Sequence, residues 1–183
     1  MSDSTTEAQI KNALEILKRI DGYVMSTNNK AAIVMSYCAA IVAAISFCSY
    51  RVLPSIPASK YLTLLIVLVV VVMISATVSL CLAIKVILPL TFSSAERHAG
   101  ESLIFFGDIG RTDGGASAYA DRYRAATHEK MLNDISRQTF TVSKIAESKF
   151  SSLKAVSWIL IIGNFVPASA FFILVALYPI FGA

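Results

Sequence analysis

Three apolar runs, residues 31–50, 61–84 and 155–180, contain no Asp, Glu, Lys, Arg or His. Each is long enough as a helix to cross a hydrocarbon core, which takes roughly 20 residues. The first run is richer in alanine than the second, but Ile33, Val34, Met35, Ile41, Val42, Ile45 and Phe47 keep it apolar. A single charge at the bilayer centre would cost about 2.5–3.5 kcal/mol, and none is present. The pattern therefore predicts three transmembrane helices. The first is expected to stay in the mature chain, because a largely polar segment of thirty residues precedes it and no compact basic stretch abuts a short apolar one.

The intervening polar segments have helical periodicity of their own. Ile10, Leu14, Leu17, Ile20 and Val24 recur every three or four residues, and Ser4 with Glu7 has capping-box spacing, which predicts an amphipathic helix over about 5–25. Its other face carries Lys11, Glu15, Lys18, Arg19 and Asp21. The stripe can lie on a partner helix or on the membrane surface, and the mixing of acids with bases favours the helix. Polar residues at 26–29 predict a break before the first span.

After Pro89, residues 91–100 are unpatterned, and Leu103, Ile104, Phe105 and Phe106 predict a short buried stretch. The glycines from Gly107 to Gly115 lack the Gly-Lys-Ser/Thr ending of a phosphate loop and predict a mobile turn. From Ser117 no Gly or Pro occurs until Gly163, and Leu132, Ile135, Thr139, Val142, Ala146, Phe150 and Leu153 keep helical spacing. One long helix running into the third span is expected, projecting on the order of 50 Å from the membrane at ~1.5 Å per residue. Its seam is too polar to stand alone, so it should pack against the N-terminal helix and a copy of itself. The fold class is thus an all-α membrane protein with three transmembrane helices and a cytoplasmic helical bundle. Its segments are 1–30 (amphipathic helix), 31–50 (first span), 51–60 (turn), 61–84 (second span), 85–154 (loop and long helix) and 155–181 (third span).

Charge adds orientation. Lys11, Lys18, Arg19 and Lys30 precede the first span, Arg51 and Lys60 lie in the turn, and ten basic residues fall in 85–154. The positive-inside rule places the N-terminus and the 85–154 segment in the cytoplasm and the C-terminus outside. The net charge of +4 is interspersed with acids, so nucleic acid is not indicated as a partner. Cys38, Cys48 and Cys81 all lie within spans and predict apolar packing, with neither a disulfide nor a metal site. His98 and His128 stand apart from any acid and nucleophile that would make a catalytic unit, so no enzyme is expected. Asp108, Asp113 and Asp121 are read as turn formers and not as metal ligands.

Within the membrane, Ser36, Ala40 and Ala44, with Ala39 and Ala43, form a small-residue stripe suited to close helix contact. Gly163, Asn164 and Pro167 combine a flexible site, an intramembrane amide and a helix breaker. They predict a bend, read either as a packed polar residue or as a gating hinge with a pore-lining amide.

Several of these residues also carry a likeness. Asn28-Asn29-Lys30-Ala31 before the first span, Pro89 after the second, and the stretch from Ser102 through Phe105, Phe106, Gly107 and Asp108 to Ile109 are similar to those of small bacterial membrane effectors. With a long helix bearing Asp134, Gln138, Ile145, Lys149 and Phe150, nearly the whole chain resembles the Pycsar-type, PycTM-like antiphage family. An Asp is usual in that family at the place of Asn28. The resemblance implies an inner-membrane defence effector with no cofactor, activated by a cyclic nucleotide from a partner cyclase and impairing the membrane in abortive infection. The signal would be cyclic CMP, cyclic UMP or a cyclic oligonucleotide, the other partners the lipid bilayer and further copies of the chain. Such an anionic ligand needs cationic donors and an aromatic seat, for which Arg111, Arg122, Arg124, Phe105 and Tyr123 are the candidates, solvated surface charges being the plainer reading. An ungated channel or transporter subunit, or a membrane scaffold for a cytoplasmic partner, are the alternatives.

Overall fold

The computed structural model describes residues 3–89 and 102–181, which are mostly helix with short connections and no strand among them. Helix α1 runs Asp3–Val52, followed by a 3-10 turn at Leu53–Ser55 and α2 at Lys60–Ile87. Then come a single turn α3 at Phe106–Ile109, α4 at Gly115–Arg124, α5 at His128–Ile159, a π-helical segment at Leu160–Phe165 and α6 at Val166–Phe181. Three stretches within these helices are long and apolar enough to cross a membrane. The chain divides into a polar unit, 1–26 with 89–148, and an apolar unit, 27–88 with 149–183.

In the apolar unit two dry clusters lie at opposite ends of the three spans. Ala31, Ala83, Val86 and Leu153 form one, and Ile45, Ile56, Leu65, Val72, Ala168 and Phe171 the other. Near the second cluster Tyr61 stacks on Tyr178 with centroids 5.4 Å apart, and its hydroxyl donates to the Leu174 carbonyl at 2.5 Å. Many large apolar side chains face outward, among them Ile33, Phe47, Ile74, Ile162 and Phe165. In water so much exposed apolar surface would be a liability, whereas in lipid it is the solvent-facing surface.

Two sequence expectations are corrected. Residues 26–29 do not break α1, which is helical throughout. Thr27 is fully buried and the Asn28 side chain accepts a hydrogen bond from Lys149, so these side chains are engaged elsewhere and do not compete for the helix backbone. The helix expected from Ser117 to the third span is two helices, parted at 125–127. There the Thr127 hydroxyl accepts from the Lys130 N–H at 3.2 Å and caps α5. The Ser4 half of the expected capping box and the stretch 91–100 lie outside the residues whose side chains are described.

In the polar unit Leu103 is buried as expected, but Phe106 points outward at 73% exposure. Gly114 and Gly115 take left-handed conformations, φ 86° and 69°, at the start of α4, so this part of the glycine-rich stretch is a turn. Leu14 and Phe140 remain exposed within one chain. Substitution at two glycines should act in opposite senses. Gly22→Ala meets nothing within 4 Å inside α1 and should raise stability by roughly 0.5–1 kcal/mol. Gly114→Ala meets a positive φ and a Cβ contact of 2.9 Å to Ala118, and should lower stability by roughly 1–2 kcal/mol. Circular-dichroism melts of the detergent-solubilised chain would read both.

Candidate functional site

The apolar unit has a polar layer between its two dry clusters, built from all three spans. The cause begins with Pro167, which has no N–H to donate to the carbonyl four residues earlier, that of Gly163. Ser75 of α2 supplies the missing donor, its hydroxyl lying 2.5 Å from the Gly163 carbonyl and 3.0 Å from that of Val72. The approach is close: a Cβ on Gly163 would lie 2.9 Å from that of Ser75, so any larger residue would push the helices apart. The backbone meanwhile widens to a π turn over Leu160–Phe165, with the Val166 N–H donating to the Ile161 carbonyl.

That turn aims Asn164 into the layer, where it is fully buried. Its Oδ1 accepts from the Tyr37 hydroxyl of α1 at 2.9 Å, and its Nδ2 donates to the Val72 carbonyl at 3.3 Å and to Ser75 Oγ at 3.4 Å. The residues expected to bend the third span thus sit together, as a π segment joining three helices, while Pro167 occupies the first turn of α6. An unsatisfied amide in hydrocarbon costs several kcal/mol, so the junction holds the spans in register. Interhelical hydrogen bonds in membranes average ~0.6 kcal/mol, which makes the four contacts worth about 2–3 kcal/mol together. Ser79, one turn along α2 from Ser75, is fully buried, and its hydroxyl has no partner among the described residues.

Lys149 anchors the end of α2. It is 3% exposed, and its ammonium donates to Asn28 Oδ1 at 3.0 Å, to the Leu88 carbonyl at 3.4 Å and to the Val86 carbonyl. A cation on the last carbonyls of a helix offsets their partial negative charge. Burial nevertheless holds the Lys149 amine below its ordinary value of 10.5.

In the polar unit the Ser102 stretch is pinned to α5. Asp134 accepts from the Leu103 N–H at 2.7 Å and from Ser102 Oγ at 3.0 Å, and Asp108 accepts from the Ser102 N–H at 3.2 Å. Ser102 Oγ in turn accepts from the Phe105 N–H at 3.0 Å, which turns the chain back at Phe105. Helix α4 joins this lock through Tyr119, whose hydroxyl donates to the Leu103 carbonyl at 2.8 Å. Asp108 is therefore a buried acceptor and not only a turn former.

The expected ligand residues surround this lock unevenly. Phe105 is half-buried with its ring 4.8 Å from that of Phe106, and exposed Tyr123 lies 6.2 Å from the Tyr119 ring. Arg122 is half-buried and Arg111 exposed, while Arg124 pairs with Asp121 at 3.1 Å on the surface. Sequence reasoning missed Ser102, Asp134 and Tyr37 as working partners, because each acts on a residue far along the chain. Among the described residues no group of acids, cysteines and histidines could hold a metal ion.

Removing a hydroxyl from the junction, by Tyr37→Phe or Ser75→Ala, should cost about 1 kcal/mol each, and Asn164→Leu about 2 kcal/mol, in reversible unfolding by dodecyl sulfate. Lys149 gives a pH dependence. With its folded value below the unfolded one, the unfolded chain binds more protons between the two, so stability rises with pH across that window. The unfolding free energy of the native chain should gain on that of Lys149→Met as pH climbs through the alkaline range toward 10.5.

The family model described as the Pycsar effector protein domain, PycTM, matches residues 12–177, taking in the Ser102–Asp134 lock, Lys149 and the junction. Over 162 residues the chain is 29% identical to the Pycsar effector protein EcPycTM of Escherichia coli, covering 87% of each chain. No solved structure matches it. The resemblance drawn from the sequence is borne out: this chain belongs to the PycTM family of Pycsar effectors, membrane proteins of antiphage defence.

Proposed function

We propose that this chain is the membrane-impairing arm of a signalling defence system. On infection a partner cyclase makes a cyclic nucleotide, the polar unit binds it, and the spans rearrange so that the inner membrane loses integrity. The observation that supports this reading is the uncharged junction of Tyr37, Ser75, Gly163 and Asn164. It is strong enough to hold three spans closed at rest and weak enough to be released by a ligand. A ligand shifts such an equilibrium only through its differential affinity for the two states, and about 5.5 kcal/mol moves it from 1:99 to 99:1. Two or three charge-assisted hydrogen bonds and an aromatic contact are of that order.

Arg111 and Arg122 are the proposed donors to the ligand, with Phe105 and Tyr123 as the seat for its base. Arg124 joins them only if it exchanges Asp121 for the ligand. The N-terminus and the 85–154 segment lie in the cytoplasm by their basic excess, and the C-terminus lies in the periplasm. The apolar side chains of Leu14 and Phe140 that one chain leaves exposed are the surface on which copies assemble as a homo-oligomer. The Gly163–Pro167 region serves as the hinge, since a π segment can return to α-helical pitch by shifting its hydrogen bonds.

The test is membrane potential and dye uptake in cells expressing the chain beside co-expressed cyclases of different product. Depolarisation with one cyclic nucleotide only, lost in Arg111→Ala/Arg122→Ala by at least ~10-fold in signal required, is the expected result. Depolarisation with no signal would make it an ungated channel. An inserted chain that responds to none would make it a scaffold.

A further inference from the structure

The apolar unit, residues 27–88 and 149–183, carries Lys30, Arg51, Lys60, Lys85, Lys149 and Lys154 and not one Asp or Glu. Four of these cations gather at one end. Lys30 precedes Ala31, Lys85 lies between Ala83 and Val86, and Lys154 follows Leu153, while those four apolar residues form a single buried cluster. At ~1.5 Å of rise per residue the three lysine backbones lie within about one turn of that cluster's level, one on each of three helices. Lys30, Lys85 and Lys154 are exposed. Lys149, close by, is buried, and the acceptors around its ammonium, the Asn28 side chain and the Val86 and Leu88 carbonyls, are all neutral.

Positive charge therefore accumulates at this end with no carboxylate in the unit to balance it. The level is also the one at which the three apolar runs meet polar sequence, where headgroups lie. Trp158, the one tryptophan of the chain, is 56% exposed one turn along α5 from Lys154, on the same face, as an interfacial side chain would be. We propose that Lys30, Lys85 and Lys154, set around buried Lys149, form a binding site for the phosphodiester of anionic phospholipids. The exposed lysines donate to the phosphate, while their stems and the neighbouring span surface receive the acyl chains. The opposite end holds only Arg51 and Lys60, with Arg51 lying over the Phe47 ring at 5.6 Å, so the site is one-sided.

Trp158 is a native reporter. In bilayers containing the purified full chain, quenching of Trp158 by phosphatidylglycerol with brominated acyl chains is compared with quenching by brominated phosphatidylcholine. We expect phosphatidylglycerol to be favoured on the order of 5-fold at low ionic strength. Lys30→Gln/Lys85→Gln/Lys154→Gln should bring that preference close to parity, the matching Lys→Arg variant should keep it, and Arg51→Gln/Lys60→Gln should leave it unchanged. Equal quenching by the two lipids in the native chain overturns the proposal, as does a preference that survives in the Gln variant. So does a preference that falls as far in the Arg51/Lys60 variant, which would mean general charge. Competition by inorganic phosphate at constant ionic strength also overturns it, since the site would then take a free anion. Should the Gln variant fail to insert, the native chain's ratio and the Arg51/Lys60 control decide alone.

Discussion

Hydrocarbon leaves no backbone or side-chain polar group a partner other than protein, and the arrangement of the three spans depends on that constraint. Pro167 removes one donor, Gly163 is left with a free carbonyl, and Ser75 must come within hydrogen-bond distance to satisfy it. A side chain on Gly163 would prevent that approach, and the π turn that accompanies it delivers Asn164 to Tyr37. One missing N–H in the third span thereby draws in the second, and through Asn164 the first. The dry clusters on either side supply packing, but without a hydrophobic drive between helices in lipid it is the polar layer that specifies their register.

The same constraint suits a switch. A junction of neutral groups can be broken without stranding a charge, and the hydroxyls, amide and carbonyl it releases are groups that water can satisfy. In the polar unit the Ser102–Asp108–Asp134 lock and the Tyr119 contact bind α4 and the Phe105 turn to α5, so a ligand that moved one would move the others. Helices α1 and α5 each contribute residues to both units.

Much of the membrane part was legible in the sequence because lipid imposes a coarse rule, and each uncharged apolar run does lie in a helix long and apolar enough to cross a membrane. The place of the irregularity at Gly163, Asn164 and Pro167 could be read as well, since each residue type disturbs a helix by itself. Its π form could not, because that depends on Ser75 and Tyr37, distant in the chain. Local polarity misled at 26–29, where burial of Thr27 and the bond from Lys149 to Asn28 keep the helix whole. The lack of Gly and Pro misled at Thr127, whose hydroxyl caps a new helix with neither residue to announce it. The lock on Asp134 joins residues 32 positions apart, and only the family resemblance had marked both ends.

Cys38 offers the most direct test of the central claim, that the polar junction closes the spans and parts when the signal arrives. It is 2% exposed on α1, beside Tyr37 in the polar layer. In a chain carrying Cys48→Ser and Cys81→Ser, the rate at which a small charged thiol reagent labels Cys38 in intact membranes is measured with and without the activating cyclase. Protection at rest and rapid labelling once the signal is made are the expected results. Protection that persists while the membrane depolarises would contradict it.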